Sequence, residues 1–521
     1  MEKIKENVIS DKTPEMDHAI SKKAHAQVVK EPPPSELFVF WISERINKQG
    51  ELKWKINPVT FIYFLRHLGF KRFDINEDYI FVKINNHVIE EVPIHKIQDE
   101  VMTYINSIDD KILEGISKEE LQSKFMTSPA YYFNKIKLSI LGTEQNLLFN
   151  SDNKDTGFIY YKNGFVKCTK EGFNLFEYEN LQGHIFKNQI KPREFKEGSP
   201  EGMFYQFVFN ISGKNEKRFE SLQTLIGYLL HSYYENKMKA VNLTDSIISE
   251  NAEGRSGKTL LGRAIAHIKN VCEIPGKDFD PKNKHKYSTV KLDTQIVILN
   301  DLTKGFEFET LFNDITDAIT VDQKNLQPFT IRAKMLISSN DTFRIDGASA
   351  KDRVIEFEFA DHYNATFSPE NEFNCWFFRD WDEDEWRKFD NFMCGCLSSY
   401  LKTGLIEAEQ INLDKRKLLS ETNSDFIAFM NEKVVDGSFK INMEYDKAIL
   451  HEKFLDSFPE YRIHTWLRVT RNFTKYLVKY AKYSLKATPQ ERRSNGRSLI
   501  QFIGNVDDQI AGEKKIDELP F

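Results

Sequence analysis

Eight consecutive residues, Ala252-Glu253-Gly254-Arg255-Ser256-Gly257-Lys258-Thr259, hold the most specific chemistry in the chain. Glycine and serine let the backbone turn several N–H groups toward one point, and the Lys-Thr pair adds an ammonium and a hydroxyl. Such a loop binds phosphate when a strand leads into it and a helix leads out. Ser246 to Ser249 (SIIS) reads as the strand, and LLGRAIAHI, with apolar residues at helical spacing, as the helix. In that setting the eight residues cradle a nucleoside triphosphate, expected to be ATP. Lys258 reaches the β and γ oxygens, and the Thr259 hydroxyl meets Mg²⁺. Ala252 stands where the usual pattern opens with glycine, and its methyl group is tolerable at negative φ. Without the strand and helix, the same residues are only a Gly/Ser-rich surface turn.

Further polar residues stand at the ends of apolar runs downstream. Thr294 to Leu302 (TQIVILNDL) reads as a buried parallel strand delivering Asp301 beside the loop, to hold Mg²⁺ or orient attacking water. Lys334 to Asn340 (KMLISSN) reads as a second buried strand, with Asn340 placed to hydrogen-bond the γ-phosphate or the water. Between them VDQKNLQPFTI forms a candidate β-hairpin carrying Lys324, and AKDRVIEFEF sets Arg353 just before an alternating strand.

Other elements must position these groups. Residues 1–35 are polar, end in EPPPSE and read as a flexible arm. Residues 36–215 read as an α+β domain: a helix in NPVTFIYFLRHLGF, a hairpin turning at Asn85-Asn86, the helix IHKIQDEVMTYINSI, and a β segment turning at Asn163-Gly164. A strongly apolar-striped collar helix occupies 216–240, the nucleotide-binding core 241–360, and Trp- and Phe-rich helices 361–419. A last unit spans 420–506, followed by an acidic tail at 507–521.

Composition narrows the function classes. Forty per cent hydrophobic and 29% charged residues describe a globular protein, and the net charge of −6 excludes a uniformly basic nucleic-acid coat. Five scattered cysteines (Cys168, Cys272, Cys375, Cys394, Cys396) lack zinc spacing and read as reduced thiols. No apolar run approaches the roughly 18 residues of a membrane span, and the first residues lack a signal-peptide core. A cytoplasmic location, that of a bacterial host, is expected, with no membrane partner.

The order of phosphate loop, ILND, VDQK hairpin, ISSN and DRVIEFEF resembles the superfamily 3 helicases. These are AAA+ ATPases of phages, plasmids, mobile elements and poxvirus-type primase-helicases; no primase domain is recognisable here. The resemblance implies an α/β AAA+ P-loop core with an α+β N-terminal domain, a helical collar and a C-terminal winged-helix-like domain. It implies ATP and Mg²⁺ as cofactors, with Lys258, Asp301, Asn340 and Arg353 catalytic and Thr259 and Asp301 at the metal. Arg353 resembles an arginine finger serving the neighbouring subunit, which requires a ring, generally a hexamer in this family. Lys324 falls where the family's pore hairpin grips the DNA backbone. The departure is Asn300: the family usually has two adjacent acids where this chain has Asn then Asp. Either Asp301 alone carries the carboxylate function, or hydrolysis is slow.

Between Tyr461 and Ile500 stand ten basic residues against one acid. Arg468, Arg471, Lys475, Lys479 and Lys482 recur at near-helical spacing, and Arg492, Arg493 and Arg497 cluster at a turn, Asn495-Gly496. Helix plus basic wing resembles a winged-helix DNA-binding module; the plainer alternative is a solvated helix face. Asp278-Phe279-Asp280 reads as a loop, DWDEDEW as a capped helix start, and His267 as structural. The expected function is an ATP-dependent hexameric helicase or translocase for replication of a phage, plasmid or mobile element. It would act on single- and double-stranded DNA, with a separate primase or origin-binding protein as partner. The alternative is an ATP-gated DNA-binding oligomer, for origin recognition or defence, that does not unwind.

Overall fold

The computed structural model describes residues 38–504 except 46–51, 76–77, 110, 112, 114, 144–146, 235–237, 248–254, 304, 325–326, 340–349, 351 and 464. The expected arm and acidic tail lie outside the described residues. The chain divides after Phe64. The first unit pairs Trp41–Arg45 with Leu52–Ile56 in an antiparallel ribbon, and Phe40, Phe61 and Phe64 cluster beneath it.

In the second unit, strands Phe70–Ile75, Asp78–Asn85, Val88–Glu91 and Ile185–Phe186 form one small sheet. Strands Ile190–Lys191, Gly157–Tyr161, Gly164–Thr169 and Gly172–Phe176 form another. Two expected turns shift by one residue. Asn85 pairs with Val88, so the turn is Asn86-His87, with the positive φ on Asn86. Tyr161 pairs with Gly164, so the second turn is Lys162-Asn163.

The centre of the unit is a five-stranded, wholly parallel sheet: β1 (Ala240–Asp245), β2 (Val271–Pro275), β3 (Ile296–Asn300), β4 (Lys334–Ser338) and β5 (Val354–Phe359). Its spatial order is β2-β3-β4-β1-β5. Runs such as Ile-Val-Ile-Leu and Met-Leu-Ile are apolar on both faces because helices cover both faces of a parallel sheet. Helices Met203–Ile211, Glu216–Leu230 and Glu383–Thr403 share one continuous core with it, including Phe207, Leu225, Leu243, Ile337, Phe357 and Leu397. Ile159, Tyr161 and Val166 of the second small sheet join the same core, so packing is continuous across residue 215. The striped helix stops at Leu230, short of the expected 240, and the chain extends into β1. A Cβ on Gly227 would lie 2.0 Å from the Cys396 carbonyl oxygen. The absence of a side chain there lets the two long helices touch.

The acid-rich DWDEDEW is a helix start: Asp382 caps Glu383–Thr403 by accepting from the Glu385 N–H at 2.8 Å. Arg193 braces this helix from the small sheet. Its guanidinium holds the buried Asp390 carboxylate in a fork, Nε to Oδ2 at 2.7 Å, and lies over Trp386. The Arg193 guanidinium also donates to the His267 carbonyl oxygen at 3.3 Å.

Beyond the linking helix Leu413–Glu421, the last unit runs helix Ser424–Val435, strand Glu444–Asp446, helix Lys447–Ser457 and helix Thr470–Tyr483. Strands Thr488–Ser494 and Arg497–Ile503 follow, with Arg497–Ile503 central in a three-stranded antiparallel sheet. Asn495 and Gly496, both at positive φ, make the turn where expected. This unit has its own core around Phe426, Phe454, Phe473 and Tyr480. Among the described residues no helix is long and apolar enough to cross a membrane, and the five cysteines are free.

His267 follows the helix Lys258–Ala266 and packs against Phe378 and Trp386. Burial, with Arg193 and Lys191 adding repulsion, pushes its pKa down to about 4 from the ordinary value near 6.5. Below pH 6.5 the unfolded chain takes up a proton that the folded chain refuses until about pH 4. Stability therefore falls as pH drops through that window. His267→Phe is expected to narrow the gap between melting temperatures measured at pH 7 and pH 4.5; an unchanged gap counts against this assignment.

Candidate nucleotide site

β1 is the strand that leads toward the loop, and it lies upstream of the expected Ser246–Ser249. Hydrogen-bonded to β4 on one side and β5 on the other, it is buried from Ala240 to Thr244. Asn242 and Thr244 disguise it in the sequence. Their side chains point into covered space with no hydrogen-bond partner among the described residues. Ala252, Glu253 and Gly254 lie outside the described residues.

Arg255 takes a positive φ of 70°, Ser256 is buried, and Gly257 has φ 99° at the head of the helix Lys258–Ala266. A Cβ on Gly257 would also stand 2.7 Å from the Phe207 ring. Both backbone conformation and packing demand glycine here. No side chain caps the first turn of that helix.

Lys258 is buried and forms an ion pair with Asp245 at the end of β1. Burial lowers its pKa, while Asp245 and, more weakly, Asp301 oppose the shift. Asp245 was not singled out in the sequence. Its signal is an acid ending a strand shortly before the loop, visible only once that strand is placed correctly. Arg416 of the linking helix donates to the Asp245 carbonyl oxygen and stands 3.9 Å from the buried Glu358 carboxylate. A cleft of about 480 Å³ opens here, lined among others by Arg255, Lys258, Thr259, Asp301 and Glu370.

β3 ends at Asn300, and Asp301 follows with a left-handed φ of 57°. The Ser338 hydroxyl, at the end of β4, donates to Asn300 Oδ1 at 2.6 Å and accepts from the Asp301 N–H at 3.0 Å. The Asn300 amide donates in turn to Glu273 Oε1 of β2 at 2.9 Å. Glu273 is a second residue that the sequence did not single out. Nothing in a local pattern links residue 273 to residue 300; the adjacency of β2 and β3 does.

The remaining expected residues lie apart. Asn340 is outside the described residues, two positions past the end of β4. Arg353 precedes β5, and its carbonyl accepts from Ala240 at the start of β1. It therefore sits at the opposite edge of the sheet from Lys258, about 20 Å away at the rise of a six-residue strand. Its guanidinium lies over the Phe312 ring, 5.0 Å from the centroid. Lys324 is exposed in the loop of a short hairpin, Ile319–Val321 with Phe329–Ile331. His285 Nδ1, 2.9 Å from the Asp322 carbonyl oxygen, braces that hairpin. In the C-terminal unit, Arg492 is forked onto Glu444, and Arg497 lies 3.9 Å from Asp446. Arg493 is exposed, as are Arg468, Arg471 and Lys475.

These residues fit a triphosphate. Ser256 Oγ and Asp245 Oδ1 are buried polar atoms without partners among the described residues. No side chain caps the start of the helix Lys258–Ala266, whose first N–H groups suit an anion. Thr259 and Asp301 suit Mg²⁺, which keeps several waters and takes one or two protein ligands alongside phosphate oxygens. No cluster of three His, Cys, Asp or Glu residues suited to a metal ion occurs among the described residues.

No family model and no curated protein matches the chain. Among solved structures, an A-form apo structure of the NrS-1 C-terminal region aligns with 86% of this chain and all of its own length. Identity is 13% and the TM-score 0.37. A second structure of that region aligns at 14% identity and TM-score 0.38.

Gly257→Ala is expected to destabilise the loop by about 1–3 kcal/mol, the cost of holding a non-glycine residue in a sparsely populated conformation. Thermal unfolding with and without the Phe207→Ala change separates the two causes. Full recovery in the double variant would assign the effect to ring overlap alone.

Proposed function

We propose that the chain is an ATPase of the superfamily 3 type that moves along DNA as a ring. The observation that carries this reading is Lys258, buried against Asp245 and near Asp301 where β1 meets the head of the phosphate-loop helix. Ligands of open parallel sheets bind outside the carboxyl ends of strands, where connections leave in opposite directions. β1 runs out toward β2 at one edge, while its neighbour β4 connects back across β1 to β5.

In this reading Lys258 draws negative charge from the γ-phosphoryl group, the backbone N–H groups orient the phosphates, and Thr259 and Asp301 hold Mg²⁺. Bound Mg²⁺ would neutralise charge between the β- and γ-phosphates. Arg353, at the far edge of its own sheet, serves a neighbouring subunit's nucleotide, and head-to-tail contacts closing into a ring supply that neighbour. Six subunits remain the expectation from the family resemblance. Lys324 on its hairpin would face DNA in the ring's channel.

The C-terminal unit has the helix–strand–helix–helix–strand–strand order of a winged helix, which supports a duplex-contacting role. The contacts differ from those expected of the wing alone. Arg497 faces Asp446 of the neighbouring strand and Arg492 reaches Glu444 across the central strand, so Arg493, Arg468 just before the helix Thr470–Tyr483, and the helix residues Arg471 and Lys475 carry exposed positive charge. Exposed Trp466, beside Lys475, adds an aromatic surface. Asn300, an amide where a carboxylate is usual, favours the second reading, an ATP-gated DNA-binding oligomer without unwinding. ATP-dependent strand displacement on a forked substrate decides between the two.

Lys258→Ala should abolish ATP hydrolysis, and near-parent turnover would remove the phosphate-loop assignment. Arg353→Ala should retain nucleotide binding yet lose about 10³-fold or more in hydrolysis, the scale of an arginine finger. Mixed with Lys258→Ala chains, it should regain activity at hybrid interfaces; no recovery from two oligomeric variants would exclude a contribution across the interface.

For DNA, Lys324→Ala should depress DNA-stimulated hydrolysis and unwinding together. Changing Arg468, Arg471 and Lys475 to alanine should lower the salt dependence of duplex affinity by up to about three in log–log slope, near 0.9 per phosphate contact. Arg492→Ala should change it little. An unaltered slope in the triple variant would make that basic patch a solvated surface only.

A further inference from the structure

We propose that Glu273, on β2, is the catalytic carboxylate for water attack, and that Asn300 is the residue that positions it. The inference rests on the nucleotide-site reading above. Phosphoryl transfer to water needs a group that orients the water and takes its proton, and an amide cannot take a proton. Both groups of the Asn300 amide are engaged: its carbonyl oxygen accepts from the Ser338 hydroxyl, and its NH₂ group donates to Glu273. The assignment of the amide is chemically forced. An ionised carboxylate only accepts, so the NH₂ must face Glu273, while the Ser338 hydroxyl, already accepting from Asp301 N–H, is free to donate to Oδ1.

The strand geometry aims this pair at the loop. Ile298 and Asn300 alternate onto one face of β3, and a Cβ on Gly262 of the phosphate-loop helix would lie 3.3 Å from Ile298 Cδ1. That face therefore meets the helix. Glu273 and Asn300 line a narrow crevice there together with Lys258, Thr259 and Arg263. Asp301, turned by its left-handed backbone, lines the other, wider cleft with the same Lys258 and Thr259. Thr259 is thus flanked by two carboxylates from adjacent strands. In the step proposed, the water oxygen forms a bond to the γ-phosphorus and the bond to the bridging oxygen breaks. ADP leaves with that electron pair, and the water proton passes to the Glu273 carboxylate.

The test compares full-length parent, Glu273→Gln, Asn300→Asp and the double variant Asn300→Asp/Glu273→Gln. It measures Mg²⁺-dependent affinity for a fluorescent ATP analogue and the pH profile of hydrolysis. Glu273→Gln should bind the analogue within about threefold of parent yet hydrolyse at least about 100-fold more slowly, the usual scale for a lost general base. Asn300→Asp sets two carboxylates at hydrogen-bond distance, where one must keep its proton. Its acidic limb should therefore move to higher pH. The double variant, an acid–amide pair again, should return that limb toward parent. Glu273→Gln turning over at the parent rate, or Asn300→Asp with a superimposable profile, overturns this proposal alone. A parent chain that binds no ATP analogue overturns it together with the phosphate-loop reading.

Discussion

A buried ammonium needs a counter-charge, and the chain meets that need for Lys258 by ending β1 in Asp245. Removing one partner from such a pair costs about 3–5 kcal/mol because the other is left buried and uncompensated. The strand's placement therefore constrains everything near it. β1 must lie between β4 and β5 so that Asp245 arrives beside the head of the helix Lys258–Ala266, and Gly257 must turn left-handed so that Lys258 points back to it. The same carboxylate residue anchors the linking helix through its backbone, where Arg416 reaches the Asp245 carbonyl. Glu358, on the adjacent β5, receives the N–H groups of Ile411 at 2.6 Å and Asn412 at 3.0 Å. Burial raises the Glu358 pKa, and those N–H groups and Arg416 oppose the rise.

This polar layer continues outward. Lys417 pairs with Glu356, Lys486 with Asp414, and Tyr483 donates to Glu421 at 2.7 Å. The linking helix is therefore held at one end by β1 and β5 and along its length by the basic C-terminal unit. Arg416 thus touches Asp245, while other residues of the same helix touch Tyr483 and Lys486.

What the sequence made legible, and what it hid, follows from the range of the interactions. The Gly-Lys-Thr head of the loop, the apolar runs of β3 and β4 and the Asn-Gly turn at 495–496 are local signals, and each occupies its expected segment. β1 was missed because its apolar residues alternate with Asn242 and Thr244, whereas the neighbouring SIIS offered a plainer run. The hairpin turns at 86–87 and 162–163 slipped by one residue because register is set by pairing across strands, which no single strand encodes. Asp245 and Glu273 were invisible for the same reason. Their partners lie 13 and 27 positions away in the chain; the turn from β1 into the next helix brings the first pair together, and the adjacency of β2 and β3 the second. The wing arginines show the converse. Their clustering was legible, but their pairing with Glu444 and Asp446 depends on a strand some fifty residues earlier.

Sheet direction also bears on whether one chain can complete the site. In a parallel sheet every strand starts at one edge and finishes at the other, so a residue before β5 cannot lie beside a residue after β1. Arg353 and Lys258 occupy such positions, and β1 and β5 are hydrogen-bonded along their whole length from Ala240–Val354 to Asp245–Phe359. Bringing Arg353 to the nucleotide of its own chain would require breaking that pairing and uncovering buried Val241, Leu243 and Phe357. Phe312 instead receives the guanidinium at its own edge. A phosphate bound at the Lys258 end of the sheet is therefore out of reach of Arg353 of the same chain.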